Sequence, residues 1–277
     1  MRATRKLLFE GKRAVITGAG KGIGRGIVDE LAKRGAKARL SPFIYAVSRG
    51  KDDLDAIKSE YPESEVFTCD LAQPDMVKSV LQEIPAPHMV VNNAGITNLD
   101  PFLDTAWEAN SPFSYTNPNI MNSKDFDAVM NVNVRAALIV SQICAQKMVD
   151  SKIAGSIVNV SSMASEIGLE NHTSYCTRNL ENMESARTVQ RIQIRDIIDR
   201  GVGPTIVFTA MGRLAWSDKE KNRPMRERIP LGKFCEVEDV VKPIMFLLSD
   251  DAAMVNGAML PMDGGFLASP FSCVDDE

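Results

Sequence analysis

The sequence has few of the residues that usually mark metal centres and disulfide frameworks. It contains two histidines, His88 and His172, and five scattered cysteines, none of them in a C-x-x-C pair. An odd number of dispersed cysteines argues against a disulfide framework and favours a reducing compartment. We therefore expect neither a structural disulfide nor a bound metal.

Long hydrophobic runs and a strong excess of charge are missing as well. Residues 1–18 are basic but contain no apolar run long enough for a signal peptide. No stretch approaches the length of a membrane span. The net charge of −4 gives no electrostatic reason to expect nucleic acid or an anionic membrane as a partner. We expect a soluble, cytoplasmic protein without a membrane span.

Short β-branched runs alternate with longer amphipathic stretches along the chain. Strands are predicted at 13–17, 45–48, 65–69, 88–93, 155–161 and 257–261. Helices are predicted at 22–34, 51–60, 74–83, 123–150, 217–228 and 236–249. The strands are almost continuously apolar, as is typical of strands buried on both faces of a parallel sheet. This pattern predicts an α/β fold with a doubly wound parallel sheet, Rossmann-type, in a single domain over 1–277.

Three stretches interrupt this alternation. Residues 38–44 contain Pro42, a poor occupant of a central strand. Residues 104–120 have no periodicity and are predicted to form a surface loop. Residues 178–201 are rich in charge, and their end, "DIIDRGVG", is predicted to make a poor strand because of Asp196, Asp199 and Arg200. We therefore expect incomplete folding beyond the N-terminal half, or faulty assembly.

A glycine-rich turn follows the first predicted strand and opens the first helix. Gly18, Gly22 and Gly24 give the spacing T-G-x-x-x-G-x-G. Glycines at this spacing permit a tight turn and let backbone N–H groups approach a pyrophosphate at the helix N-terminus. A glycine-rich turn without a ligand is the alternative, but the flanking strand and helix favour dinucleotide binding.

The end of the second strand selects between the two nicotinamide dinucleotides. An acidic residue there binds the ribose 2′-hydroxyl, whereas an arginine accommodates a 2′-phosphate. Here the strand is followed by Ser-Arg-Gly at 48–50, and Lys21 and Arg25 add positive charge in the glycine turn. Arg49 thus favours NADP(H), although two aspartates at 52–53 leave NAD open.

An ordered set of motifs gives the chain its resemblance to a known family. After the glycine turn come "CDL" (69–71), "NNAG" (92–95), "VNV" (132–134), "IVNVSS" (157–162) and Tyr175. In this order they resemble the short-chain dehydrogenase/reductase family. The segments after residue 203 resemble those members that reduce sugar ketones and α-dicarbonyls with NADPH. The resemblance implies NADP(H) as cofactor, no metal, a small carbonyl or sugar substrate, and a homotetramer.

The resemblance also implies roles for individual residues. The implied catalytic residues are Asn133, Ser162 (with Ser161 as the alternative serine) and Tyr175. The implied cofactor-binding residues are Gly18, Lys21, Gly22, Ile23, Gly24, Arg49, Asp70, Leu71, Asn92, Ala94, Gly95, Val207 and Thr209. The implied substrate-binding residues are Ser162, His172 and Trp216, although His172 is equally well explained as a surface histidine.

The chemistry of ketone reduction explains the implied catalytic residues. Tyr175 would act as general acid and Ser162 would polarise the carbonyl by hydrogen bonding. A free tyrosine has a pKa near 10, and a lysine four residues later in the family favours the phenolate. This chain has Asn179 at that position. Arg178 lies one residue early, about 100° around a helix.

Two hypotheses account for Asn179. In the first, the chain is an impaired or unusual reductase. In the second, the segment is a frame-shifted or mis-spliced version of the usual helix and strand. A coding segment for K-E-L-G-K-H-G-I-R, read one nucleotide out of register, can give R-N-L-E-N-M-E-S-A, which is residues 178–186. The stretches at 38–44 and 104–120 are interpreted as further gene-model errors, and sequencing the transcript tests this.

Two other functions stay open alongside the sugar-ketone reductase. Another NADPH ketone reductase, such as one for 3-oxoacyl chains, would use the same residues. A catalytically silent NADP-binding homologue would bind NADPH without turnover.

Overall fold

The computed structural model describes residues 9–35, 43–97, 123–169, 175–177 and 197–269. Its strands are β1 (Arg13–Thr17), β2 (Phe43–Ser48), β3 (Glu65–Thr68), β4 (Met89–Asn92), β5 (Gly155–Val160), β6 (Ile197–Pro204) and β7 (Met259–Met262). Its longer helices are α1 (Gly22–Gly35), α2 (Lys51–Glu60), α3 (Pro74–Glu83), α4 (Ser123–Met130), α5 (Ala136–Asp150), α6 (Ala210–Trp216), α7 (Lys219–Glu227) and α8 (Val237–Leu248).

The seven strands form one parallel sheet with the order β3-β2-β1-β4-β5-β6-β7. The order reverses between β1 and β4, which are neighbours in the sheet but not in the chain. Helices cover both faces, because α1 packs against α8 on one face and α3 packs against α5 on the other. The predicted Rossmann-type, doubly wound fold in a single domain is confirmed.

The helices and strands in the first half of the chain follow the sequence prediction closely. The bounds of β1, α2 and α3 are as predicted, and those of α1, β3, β4 and β5 differ by one or two residues. β2 begins earlier than predicted, so Phe43 and Ile44 of the atypical stretch 38–44 pair with Arg13 and Ala14 of β1. Pro42 lies outside the described residues, as do 104–120 and 178–196.

The predicted failure of "DIIDRGVG" as a strand was wrong. β6 occupies an interior position between β5 and β7, and Asp199 and Arg200 are each 1% exposed. The Arg200 guanidinium donates to the carbonyls of Ala252, at 2.5 Å, and Val255, and to Ser156 Oγ at 2.9 Å. Because these acceptors satisfy the buried charge, the strand forms and the C-terminal half packs with the N-terminal half.

The long helix after β4 differs from a regular α-helix in its middle. Residues 131–135 form a π-helical turn between α4 and α5. An 18-residue window within the helical stretch Phe126–Asp150 has a mean hydropathy of 1.4, so the stretch could cross a membrane by length and composition alone, and 44% of that window is buried. The prediction that no stretch approaches such a length was therefore wrong. Buried residues of α5, including Val140, Cys144 and Met148, pack within the core on the α3 face of the sheet.

The helix predicted at 217–228 is present as α7, which runs from Lys219 to Glu227. The C-terminal region also contains a short helix that was not predicted, α6, which ends at Trp216. α8 begins with a capping box in which the side chains of Glu236 and Asp239 each accept a backbone N–H of the other residue. β7 begins two residues later than predicted and forms one edge of the sheet.

Candidate active site

The motifs quoted from the sequence lie together at the carboxyl-terminal ends of the strands. Gly18 follows β1, Arg49 follows β2, Asp70 follows β3, Ala94 follows β4 and Ser162 follows β5. In a parallel sheet all these positions lie at the carboxyl ends of the strands. Ligands of open α/β sheets bind there, where the strand order reverses, which in this fold is between β1 and β4.

The glycine turn is packed so closely that a larger residue at Gly18 or Gly24 would collide with neighbouring atoms. Gly18 has a φ of +64°, and a Cβ there would lie 2.8 Å from Cα of Ala94. A Cβ on Gly24 would lie 2.2 Å from the carbonyl oxygen of Gly18. Such a turn at the N-terminus of α1 fits the pyrophosphate of a dinucleotide, because backbone N–H groups can approach it closely. Ile23 of the same turn packs against the core.

Asn93 holds the glycine turn in place, a role that the sequence analysis missed. Its side-chain amide donates to the carbonyls of Thr17, at 3.1 Å, and Gly18, at 3.2 Å. In return, Thr17 Oγ1 accepts the backbone N–H groups of Asn93, at 3.0 Å, and Ala94, at 3.2 Å. The motif "NNAG" was the available signal, but the bonds span about 75 residues of sequence and have no local pattern.

Arg49 and Lys21 are two of the basic residues that the sequence analysis assigned to a 2′-phosphate. Arg49 is exposed at the end of β2. Lys21 Nζ lies 3.4 Å from Asp53 Oδ2, and Lys21 is largely exposed. The third basic residue, Arg25, is committed elsewhere, because its guanidinium contacts Asp29, at 2.7 Å, and Glu60. Arg25 is therefore not part of this group.

Residues after β3 and β4 complete the predicted cofactor cleft. Asp70 Oδ1 accepts the backbone N–H of Ala72 at 3.0 Å, which fixes the turn after β3. Leu71 is 8% exposed and lines a small cavity together with Ala94. Gly95 is exposed at the same edge of the sheet. Asn92 is buried, donates its amide to Asn159 and Ser141, and lines the same small cavity as Leu71 and Ala94.

Asn133 fastens the long helix to the segment that follows β4. It lies in the π-helical turn and is 2% exposed. Its side-chain oxygen accepts the Ile96 N–H at 2.8 Å, and its amide donates to the Ile96 carbonyl at 2.7 Å. This paired bonding explains why an asparagine is tolerated inside a helix, where it is otherwise mildly unfavourable.

Ser162 and Tyr175 lie on connected segments after β5. Ser162 is 8% exposed, and its Oγ accepts the Ala164 N–H at 3.2 Å. Tyr175 lies on the helical residues 175–177 and is half-buried. The Leu169 N–H donates to Cys176 Sγ at 3.3 Å, which ties these residues to the loop after Ser162. The alternative serine, Ser161, is also buried, and its N–H donates to the Val202 carbonyl.

The loop after β6 reaches the glycine turn from the other side. Thr209 caps α6, because its Oγ1 accepts the Gly212 N–H at 3.1 Å. A Cβ on Gly22 would lie 2.9 Å from Thr209 Cγ2, so the two loops are in contact. Val207 is held by a parallel bridge to Cys235. The predicted residues Gly22, Val207 and Thr209 are thus brought together.

An apolar cluster lies beyond these loops. Phe234 packs edge-on against Phe208, with ring centroids 5.4 Å apart, and against Trp216, with centroids 6.0 Å apart. Met163, directly after Ser162, belongs to the same cluster. Trp216, predicted to bind substrate, thus packs in an apolar cluster with Met163, the residue after Ser162. His172 and Asn179 lie outside the described residues.

Burial shifts the pKa of several titratable groups in the core. Burial raises the pKa of Asp199 to about 7, against hydrogen bonds from its neighbours. Burial also lowers the pKa of Arg200 to about 10 and raises that of the Cys144 thiol to about 12. Within the described ranges, no group of three or more histidine, cysteine, aspartate or glutamate side chains is placed to hold a metal ion.

Comparison with known proteins identifies the family. Residues 18–267 match the family model described as enoyl-(acyl carrier protein) reductase, which belongs to the short-chain dehydrogenases and reductases. The chain belongs to the short-chain dehydrogenase/reductase family. It is accordingly an oxidoreductase of that family, and its fold is the one expected for such enzymes.

Curated relatives in this family cover almost the whole chain. L-xylulose reductase of Mus musculus is 42% identical over 260 residues, which are 94% of this chain and 98% of that protein. D-erythrulose reductase of Gallus gallus is 42% identical over 95% of this chain and 98% of that protein. Carbonyl reductase [NADPH] 2 of Sus scrofa is 38% identical over 94% of this chain and 98% of that protein.

A solved structure of the family matches the fold along most of the chain. It is a protein of Beutenbergia cavernae assigned as an NAD(P)-dependent gluconate 5-dehydrogenase and solved with bound NADP. The TM-score is 0.81 at 28% identity, over 95% of this chain and 99% of that chain.

Proposed function

We propose that the protein is an NADPH-dependent carbonyl reductase that interconverts L-xylulose and xylitol and reduces α-dicarbonyls such as diacetyl. The observation that carries this proposal is the placement of Ser162, after β5, at the same sheet edge as a glycine turn with no room for side chains. The names of the relatives support the substrate class, since they include L-xylulose and D-erythrulose reductases.

NADP(H) is the cofactor that this site fits. The glycine turn accommodates a pyrophosphate, and the exposed Arg49, with Lys21 beside Asp53, supplies cations for a 2′-phosphate. When bound, NADPH supplies the hydride. The chain's own contribution is to hold the dinucleotide between the turn after β1 and the loop after β6, where Thr209 contacts Gly22.

Two side chains handle the carbonyl oxygen of the substrate. Ser162 polarises it by donating a hydrogen bond from a hydroxyl that the Ala164 N–H already orients. Tyr175 gives the proton to this oxygen in reduction and takes it back in oxidation. Asn133 is a positioning residue, because its two bonds to Ile96 hold the helix against the cleft.

Asn179 limits the rate of the proposed reaction. A neutral amide cannot provide the positive charge that favours a phenolate, and Asn179 stands four residues after Tyr175. We therefore propose a slow reductase. If the transcript encodes lysine at this position, the present sequence is in error there. The low rate would then not apply to the protein made in the cell.

A substrate panel tests the proposed function. The full chain is assayed for NADPH oxidation with L-xylulose, diacetyl and a 3-oxoacyl thioester, with Tyr175→Phe as the control. Turnover of L-xylulose and diacetyl that Tyr175→Phe abolishes is expected. Preference for the 3-oxoacyl thioester would favour the alternative reductase, and NADPH binding without turnover in any variant would favour a silent homologue. The homotetramer and the cytoplasmic location remain predictions.

A further inference from the structure

A line of buried polar side chains crosses the sheet, joined by hydrogen bonds. It runs from Asp199 on β6 through Asn159 on β5 and Asn92 on β4 to Ser141 on α5, and every member is at most 6% exposed. Asn159 Nδ2 donates to Asp199 Oδ1 at 2.8 Å. Asn92 Nδ2 donates to Asn159 Oδ1 and to Ser141 Oγ, both at 2.8 Å.

The direction of these hydrogen bonds is set at the Asp199 end. An ionised carboxylate only accepts hydrogen bonds, so Asn159 must turn its NH₂ group toward Asp199. Its carbonyl oxygen then faces Asn92, which must donate a hydrogen bond to it from its own NH₂ group. The charge on one residue thus fixes the orientation of two side-chain amides in succession.

This orientation leaves one acceptor unused. Both N–H groups of the Asn92 amide are engaged, and Asn92 Oδ1 has no hydrogen-bond partner among the described residues. Leaving a buried acceptor unpaired costs about 1–3 kcal/mol. A residue buried to this extent normally has a partner, and ordered water is the usual one when protein groups do not supply it.

A cavity of suitable size adjoins Asn92. Its walls come from β1, the segments after β3 and β4, and the long helix, and the residues are Thr17, Leu71, Asn92, Ala94, Val132, Ala136, Ala137 and Val140. The space is of the order of one water molecule. The π-helical turn that contains Val132 borders it, and such turns interrupt the regular helical bonding of the backbone.

We propose that this cavity binds one water molecule that donates a hydrogen bond to Asn92 Oδ1, and that Asp199 is the positioning residue that turns this oxygen toward it. The water lies behind the glycine turn, because Thr17 and Ala94 belong both to the cavity wall and to the hydrogen bonds that hold the turn. The proposal does not depend on the substrate.

A crystal structure of the full chain at a resolution that shows ordered water tests the site. A density peak within hydrogen-bond distance of Asn92 Oδ1 is expected, and a cavity without density would overturn the proposal. Val140→Ile adds one methyl group at the cavity wall and should remove the peak. Val77→Ile, a buried valine of the same core that does not line the cavity, should keep it.

The role of Asp199 is tested in solution with Asp199→Asn. The bound water is detected by its nuclear Overhauser effect on the Ala94 and Ala137 amides at about pH 8, where the carboxylate of the parent is largely ionised. The neutral amide of the variant permits the reversed orientation, so a weaker effect is expected. An effect as strong as in the parent, in a variant with a dispersed amide spectrum, would contradict the role of Asp199.

A second comparison uses the unaltered protein and requires no variant to fold. Lowering the pH to about 5.5 protonates Asp199, which can then donate to Asn159 and permit the same reversal. Arg200 is the charged group of β6 beside it, while Asn159 on β5 and Asn256 before β7 are neutral. The water signal should fall at the lower pH, and a constant signal would again contradict the role of Asp199.

Discussion

At the scale of single residues, we expect the absence of a positive charge four residues after Tyr175 to have the largest consequence for activity. Replacing Asn179 by lysine restores a cation four residues from the tyrosine, which favours the phenolate. We expect Asn179→Lys to raise kcat roughly 10- to 100-fold and to shift the pH profile of kcat toward lower pH. Asn179→Gln, which lengthens the side chain without adding charge, is the matched control. No gain in a correctly folded Asn179→Lys variant would reject the explanation.

Asp199 makes a separate prediction about stability. Burial raises its pKa from 3.8 to about 7 in the folded chain, so the folded state binds a proton that the unfolded state releases between these values. The contribution of Asp199 to the free energy of unfolding is therefore fully present below about pH 4. It is lost as the pH rises through 7, a total loss of ~4 kcal/mol. The Asp199→Asn variant cannot ionise at this position, so it does not lose this stability.

Chemical denaturation of Asp199→Asn and of the parent measures the difference directly. Because other titrations are shared by the two proteins, they cancel in the difference. The variant should gain stability over the parent as the pH is raised from about 5 to 8. A difference that stays constant over this range would show that Asp199 titrates in the folded chain as it does in the unfolded one.

At the scale of the elements, the glycine turn between β1 and α1 is the sharpest test of cofactor binding. A Cβ on Gly24 would meet the Gly18 carbonyl and Asn93 Nδ2, at 2.2 and 2.6 Å, so the turn would have to move. We expect Gly24→Ala to weaken NADPH binding at least about tenfold, as measured by fluorescence titration. Gly168→Ala is the control, since a Cβ there meets nothing within 4 Å. Equal affinity of both variants would contradict the placement of the cofactor.

Elements with a local signal were predictable, and those that depend on distant partners were not. The glycine turn and α2 follow from spacing and periodicity alone. β6 was missed because Asp199 and Arg200 are unfavourable in a strand until Asn159, Ala252 and Val255 satisfy them. The contacts of Asn93 with the glycine turn were missed for the same reason. Residues 104–120 and 178–196 lie outside the described ranges, so the predictions for them remain open.

At the scale of the whole molecule, the predicted homotetramer is open to a direct measurement. β7 is an edge strand of the sheet, and Leu260 on it is 36% exposed. Exposed edge strands are usually covered or protected, which a second copy of the chain would do. We expect sedimentation equilibrium at micromolar concentration to give the mass of four 30.4 kDa chains. A monomer at every concentration would be the contrary result.

The central claim is that this member of the short-chain dehydrogenase/reductase family reduces sugar ketones with NADPH. The most direct measurement is the oxidation of NADPH by the purified full chain in the presence of L-xylulose, followed by its absorbance. The account predicts slow, L-xylulose-dependent oxidation that Tyr175→Phe abolishes and Asn179→Lys accelerates. Absence of L-xylulose-dependent oxidation in both the parent and Asn179→Lys, with NADPH bound by each, would contradict it.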